Sequence, residues 1–470
     1  MKKLLIIIFS VALTIAFNSC YKDKGNYTYN LPDEPVVTNL DTVYKAIVGD
    51  SLIITPTITM KTKANLSFDW RIGGPTMSDI HFTGSSLRML FGLGAARFYG
   101  RLTVINNDNG MHYFHDFKID GITNFSLGTA VLSVENNVTQ FSFVQPNGTV
   151  QPRLYAAMHG EDLPAKPLGI VATVHQQIVP VTISSYWVMT ENGGVQINSD
   201  SLKRMKDMNG NFFNAPDSTK VTEMSGTQLG VITGVINQRL YAGFWQTWNQ
   251  APIYGMFGLP ADGDYTLANG LIYTSGNTGD FYIGYDAVKK RIIRFNVYGT
   301  PMYFGTQYEV IGTAFDPTNV GLDLTTMMQV NKGNCFLFGK SPEGTLYELK
   351  FSVNFTGPFQ LTTIYKRAFV QPSLITATTK WQATDDEMFY FNSGSKVYRY
   401  NPTNQSLTPL TADFGGKNVT MIKLIDQNTL VAGVEGSLYY LNISTGKNGD
   451  LIKKIDGIPG SPVDIAVRAQ

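Results

Sequence analysis

Cysteine and histidine are both scarce, with two and five residues in a chain of 470. The sequence has no paired-Cys motif, no His-Glu-x-x-His, no Gly-x-Ser-x-Gly elbow and no Gly-rich Lys-Ser/Thr loop, so none of the chemistries those motifs carry is indicated. Charge is sparse as well, at 16% of residues against the roughly 25% of an average soluble protein. The 37 Lys and Arg nearly cancel the 36 Asp and Glu. Without a basic excess nothing neutralises a run of phosphates, which argues against nucleic acid as a partner. Past the first twenty residues no apolar run approaches the roughly 18 residues of a membrane-spanning helix. What the chain does have is rings and turn formers: 12% aromatic residues, 45 Gly and 21 Pro. This is the composition of an all-β protein too long for one domain of about 100 to 200 residues.

Lys2 and Lys3 precede an apolar stretch from Leu4 to Phe17, which reads as a secretory signal peptide over 1–19. Phe17-Asn18-Ser19-Cys20 resembles the lipobox that a bacterial lipoprotein signal peptidase cuts ahead of a diacylated Cys. That resemblance makes Cys20 the lipidated first residue of the mature chain and the lipid bilayer its first partner. The other cysteine, Cys335, sits in Asn334-Cys335-Phe336-Leu337-Phe338, expected as a buried strand, so no disulfide is available. Residues 20–35, with Pro32 and Pro35, read as an extended tether.

Tyr21-Lys22-Asp23-Lys24-Gly25-Asn26-Tyr27 resembles the mature N-terminus of the PKD-like lipoproteins of Bacteroidetes. Residues 36–122 alternate in short strands, and Phe68-Asp69-Trp70 resembles the aromatic, spacer and core Trp of a PKD-type immunoglobulin-like sandwich. The family's usual Trp-x-Phe-Gly-Asp-Gly is here Trp70-Arg71-Ile72-Gly73-Gly74. The resemblance implies an outer-membrane lipoprotein on the cell surface or the periplasmic face, found beside nutrient importers and capturing a glycan or peptide.

From 123 to 470 a hairpin recurs seven times, with second strands marked by Val138, Val195, Leu240, Ile293, Leu346, Val397 and Leu438, at intervals of 41 to 57 residues. Periods of about 40 to 50 residues with four strands each are β-propeller blades. The first hairpin, Ala130 to Glu135 with Val138 to Phe143, lacks an inner strand, and Val463 to Val467 is left over at the other end. The expectation is a seven-bladed propeller closed by the C-terminal strand; two or three stacked sandwiches are the competing arrangement.

Candidate sites are few. His112 and His115, three apart on a strand, lie on opposite faces and cannot share a metal. Asn106 to Gly110 has the oxygen density of a calcium loop, but a hairpin turn explains it. Asp385-Asp386-Glu387 reads as a solvated turn, and Asp41-Thr42, Asp50-Ser51, Asp200-Ser201 and Asp217-Ser218 either resemble Bacteroidetes O-glycan sites or make turns. No metal, no cofactor and no catalytic residue is expected. The densest aromatic and polar stretch supplies the ligand candidates: Tyr241, Trp245, Gln246, Trp248, Asn249 and Gln250. Flat rings stack on sugar faces while amides bond hydroxyls; the same rings could instead fill the gap between blades. A binding protein is favoured, and a propeller enzyme that degrades glycan or peptide is the alternative.

Overall fold

The computed structural model describes residues 32–74, 77–174, 183–227, 230–244, 254–276, 279–331, 333–355 and 357–468. Its elements are almost all strands, and they fall into two compact units, 1–121 and 122–470.

In the first unit a five-stranded sheet runs in the order Val43–Ile47, Met111–Ile122, Arg97–Asn106, Leu66–Gly74, Met77–Thr83. Alternation puts Trp70 and Ile72 on its inner face with Leu102, Val104 and Ile119, against Leu52, Ile54 and Leu87 of a short two-stranded pair. Trp70 is fully buried, and its indole N–H donates to the Gly84 carbonyl at 2.9 Å, which satisfies the one polar atom it takes inside. The Asn106–Gly110 turn uses its oxygens locally: Asn106 Oδ1 accepts from Asp108 N, Asn109 Oδ1 from Met111 N, and Gly110 adopts φ +72°.

The outer face of this sheet carries cross-strand ion pairs, of which Arg97–Asp120 is bidentate at 2.6 and 2.8 Å and half-buried. The Arg97 guanidinium holds the Asp120 carboxyl below the ordinary carboxylate range. Its contribution, about 1 kcal/mol, is therefore complete above the unfolded Asp pKa of about 4 and is lost as pH falls through the depressed native value. Hydrogen exchange across Arg97–Asn106, corrected for intrinsic rate, should hold steady from pH 7 to about 5 and accelerate below about 4. Asp120→Asn should flatten that acid response, and an unchanged response would contradict the assignment.

Among the described residues the second unit forms seven sheets in chain order. The second is a meander of Pro167–Val174, Ile183–Thr190, Gly193–Asn198 and Arg204–Asp207. The fourth (Ile272–Gly276 to Thr300–Gly305), sixth (Trp381–Ala383 to Ser406–Pro409) and seventh (Val419–Asp426 to Asp450–Asp456) repeat this plan. The third has three described strands, Val221–Gly226, Ile232–Ile236 and Arg239–Ala242. The fifth, from Asp323–Gln329 to Gln360–Ala368, gains a parallel edge strand, Glu309–Ile311. The first sheet is Val150–Gln151, Val138–Val144 and Gly128–Glu135, and Ser461–Arg468 completes it by pairing antiparallel with Gly128–Glu135. The chain's last strand thus occupies the place of a first strand. Each of the seven hairpins legible in the sequence is an adjacent strand pair of one sheet, and in the four-stranded sheets it is the central pair. A short helix, Leu154–His159, was not anticipated.

Side chains on the first strand of one sheet clamp the backbone of the next. Asp464 Oδ2 accepts from Ile170 N at 3.1 Å, while its Oδ1 pairs with Lys423 Nζ of the seventh sheet at 3.0 Å. Gln382 accepts from Leu424 N, Gln329 from Tyr273 N, and Glu223 from Gly270 N and Leu271 N. The first strands of the second, third and seventh sheets, together with Ser461–Arg468, surround one cavity of about 420 Å³ lined mainly by aliphatic side chains.

Cys335 is fully buried in Asn334–Lys340, and burial pushes its thiol up. The solvated-turn reading of Asp385 to Glu387 needs correction at Glu387. Its carboxylate pairs with Lys350 Nζ at 2.6 Å and accepts from Asn334 Nδ2 at 2.7 Å, both groups being largely buried. Glu387 takes φ +66° at the turn, which directs the acid toward the fifth sheet rather than to solvent.

Candidate ligand-binding site

Period-two alternation and register bring two rows of polar and aromatic side chains to one face of the second sheet. Thr173 pairs with Ser185, and Ser185 with Asn198; two residues along, Trp187 pairs with Gln196 and Gln196 with Lys206. The first row is knitted together, with Thr173 Oγ1 and Ser185 Oγ 2.6 Å apart and Gln196 Nε2 donating to Ser185 Oγ at 2.8 Å. Asn198 Oδ1 turns away to cap its own turn, accepting from Asp200 N and Ser201 N. These rows form one wall of a cavity of about 450 Å³ between the second and third sheets, within the size range of small-molecule sites.

The opposite wall is backbone-rich: Gly230 to Ile232 leading into the third sheet, with Tyr254 and Gly255. Asn211, almost fully buried, donates from Nδ2 to the Gly255 carbonyl at 3.2 Å, and Gly255 N in turn donates to Phe244 O at 3.0 Å. Those bonds tie Asn211 and Phe244 to Gly255. Lys206 Nζ lies 5.9 Å from the Trp187 ring centre, and burial lowers the pKa of its amine.

Of the sequence-derived ligand candidates, Tyr241 is described, and it is buried. Its ring packs against Phe212 at 5.3 Å and Phe257 at 5.8 Å in the core between the second and third sheets. Trp245, Gln246, Trp248, Asn249 and Gln250 lie outside the described residues, as does Cys20. His112 and His115 fall three apart on Met111–Ile122, and among the described residues no three His, Cys, Asp or Glu gather as a metal site. Asp200, one of the Asp-Ser positions, is engaged by Arg468 Nη1 at 2.7 Å and by Ser126 Oγ. Among the described residues no helix is long and apolar enough to cross a membrane.

The residues that sequence reasoning missed are Ser185, Trp187, Gln196 and Lys206. Trp187 carried a signal as one of five Trp residues, but it stood inside an apolar strand, where a core role is the default.

Comparison with known proteins gives a family for the N-terminal region. Residues 20–167 match the PKD-like family, less than half of the chain. No curated protein matches. Among solved structures, the extracellular domain of a one-component system protein of B. thetaiotaomicron is similar over 80% of this chain and 57% of its own, with 9% identity and a TM-score of 0.40. A protein of unknown function from Bacteroides caccae is similar over 73% of this chain and 100% of its own, with 8% identity and a TM-score of 0.33. The chain thus spans just over half the length of the first of these.

Proposed function

We propose that this chain is a lipid-anchored binding protein of the bacterial outer membrane, without catalytic activity, that captures a glycan or peptide for an importer complex. Acylated Cys20 and the tether to residue 35 hold it to the bilayer, and the PKD-like unit is a spacer. The seven sheets act as the blades of a propeller, closed by Ser461–Arg468 in the first sheet. The cavity shared by the C-terminal strand and the first strands of the second, third and seventh sheets supports that arrangement; a row of separate sandwiches would not gather those four strands.

The observation that carries the binding reading is a preformed cavity on the second sheet where the Gln196 amide and the Lys206 amine stand beside the buried Ser185 and Trp187. Among the described residues that line it there is no carboxylate. Tyr254 and Gly255 line the cavity, and Trp245 and Trp248 stand a few residues before them in the sequence, so these two Trp are assigned to ligand stacking.

The test is a glycan and peptide array probed with the chain from residue 21 onward, with product analysis of every hit. Binding without turnover is expected. Trp245→Ala with Trp248→Ala should lower retention of the hits at least tenfold, since each stacked ring contributes about 1 kcal/mol or more, while the melting temperature stays unchanged. Released product would replace this reading with an enzyme, and full retention by a folded double variant would remove both Trp from the site.

A further inference from the structure

We infer that the ligand of the cavity between the second and third sheets is anionic, an acidic sugar whose carboxylate or sulfate group is held by Lys206. This rests on the binding reading above and deepens it. Lys206 is the only charged side chain among the described residues that line the cavity; its companions are Thr, Ser, Gln, Asn, Trp, Tyr, Met and aliphatic or glycine positions. The ammonium is drawn off the surface by register: Lys206 pairs across the sheet with Gln196, whose other neighbour is Trp187, so its stem lies on the same inward face.

Among the described residues no carboxylate pairs with it. The adjacent acid, Asp207, faces the other way and is taken by Arg204, which also binds Glu161 at 2.8 Å. The contrast between these neighbours is informative. The guanidinium of Arg204 lines a second cavity on the far side of the same strand together with Glu161 and Asp207, and two acids neutralise it there. Among the described residues the ammonium of Lys206 meets only the Trp187 ring, at 5.9 Å, near the outer limit of a cation–π contact.

A half-buried cation costs free energy unless an anion accompanies it, and groups held in that condition in a cleft are where ligands with complementary charge bind. The Gln196 amide beside it suits a sugar's hydroxyls, while Ser185 and Trp187, both buried, pack behind it. Recognition would then need one negative group placed next to a pyranose-sized body.

The test is calorimetric titration of the chain from residue 21 onward with three matched oligosaccharides: one bearing uronic acids, its carboxyl-reduced neutral counterpart, and a sulfated neutral-backbone form. The uronate or the sulfate member should bind at least tenfold more tightly than the neutral one, and the better of the two identifies the group. Lys206→Met should remove that preference by weakening the acidic ligand about ten- to a hundredfold, so that the variant binds the acidic and neutral members with similar affinity. Lys206→Gln, which keeps the polar stem, serves if the Met variant fails to fold. Equal affinity for acidic and neutral members, or unchanged acidic affinity in a folded Lys206 variant, overturns the inference and leaves the binding reading standing. If none of the three binds while array hits map elsewhere, both fall.

Discussion

A chain ending at Gly460 is expected to lose the cooperative unfolding transition of its C-terminal unit. Ser461–Arg468 supplies the whole ladder on one side of Gly128–Glu135, from Gly128 opposite Arg468 to Val134 opposite Ser461. Without it Val131 and Leu132, now fully buried, face water. Loss of Ile465, which is buried as well, would alone cost about 3 kcal/mol. Arg468 Nη1 pairs with Asp200 at 2.7 Å and donates to the carbonyls of Phe125 and Ser199, so its removal strands a partly buried acid at a further cost of about 3 kcal/mol. Loss of Asp464 unmakes the clamps to Ile170 and Lys423. Together these terms rival the total stability of about 5–15 kcal/mol available to a domain. Calorimetry of the truncated chain should show the transition abolished or lowered by more than 15 °C; an unchanged midpoint would mean that the C-terminal strand closes nothing.

The second large effect is expected at Glu348, on Leu346–Asn354 of the fifth sheet. This side chain is fully buried, and its carboxylate is surrounded by donors: Arg367 Nη2 at 3.0 Å and the hydroxyls of Tyr365 and Tyr400. Tyr400 comes from Lys396–Asn401, so the acid binds the fifth sheet to the sixth. Burial first, and Glu348 after it, push both phenols up, so they remain protonated donors. Glu348→Ala leaves a guanidinium and two hydroxyls without their acceptor and should cost about 3–5 kcal/mol in urea unfolding. Glu348→Gln, which keeps the shape and two acceptor lone pairs, should recover part of that loss. A cost below about 1 kcal/mol for the Ala variant would show that water or a neighbour replaces the acid.

The hairpins were legible because many middle strands are covered on both faces and so read as apolar runs, Asn334–Lys340 and Thr429–Val434 being examples. Their turns announce themselves too: Asn136-Asn137 and Asn237-Gln238 both adopt positive φ, the two-residue geometry that favours Asn. Outer strands gave a weaker signal, since Asp450–Asp456 is exposed almost throughout and alternates little. The parallel strand Glu309–Ile311, exposed at all three residues, gave none. The candidate site was hidden for a different reason. Ser185, Gln196 and Lys206 become neighbours only through strand register, and Lys206 sits in the run Arg204-Met205-Lys206-Asp207, which reads as a solvated charged edge. Tyr241 shows the converse: a ring in an aromatic-rich stretch that the fold spends on packing between sheets.

The proposed capture of ligand on the wall of the second sheet is tested most directly by hydrogen–deuterium exchange with and without the tightest array ligand. Protection is expected in Ser184 to Trp187, Gln196 to Asn198, Met205 to Lys206 and Tyr254 to Gly255, the segments that line the cavity. Protection confined to the five-stranded sheet of the N-terminal unit, with those four segments unchanged, would contradict it.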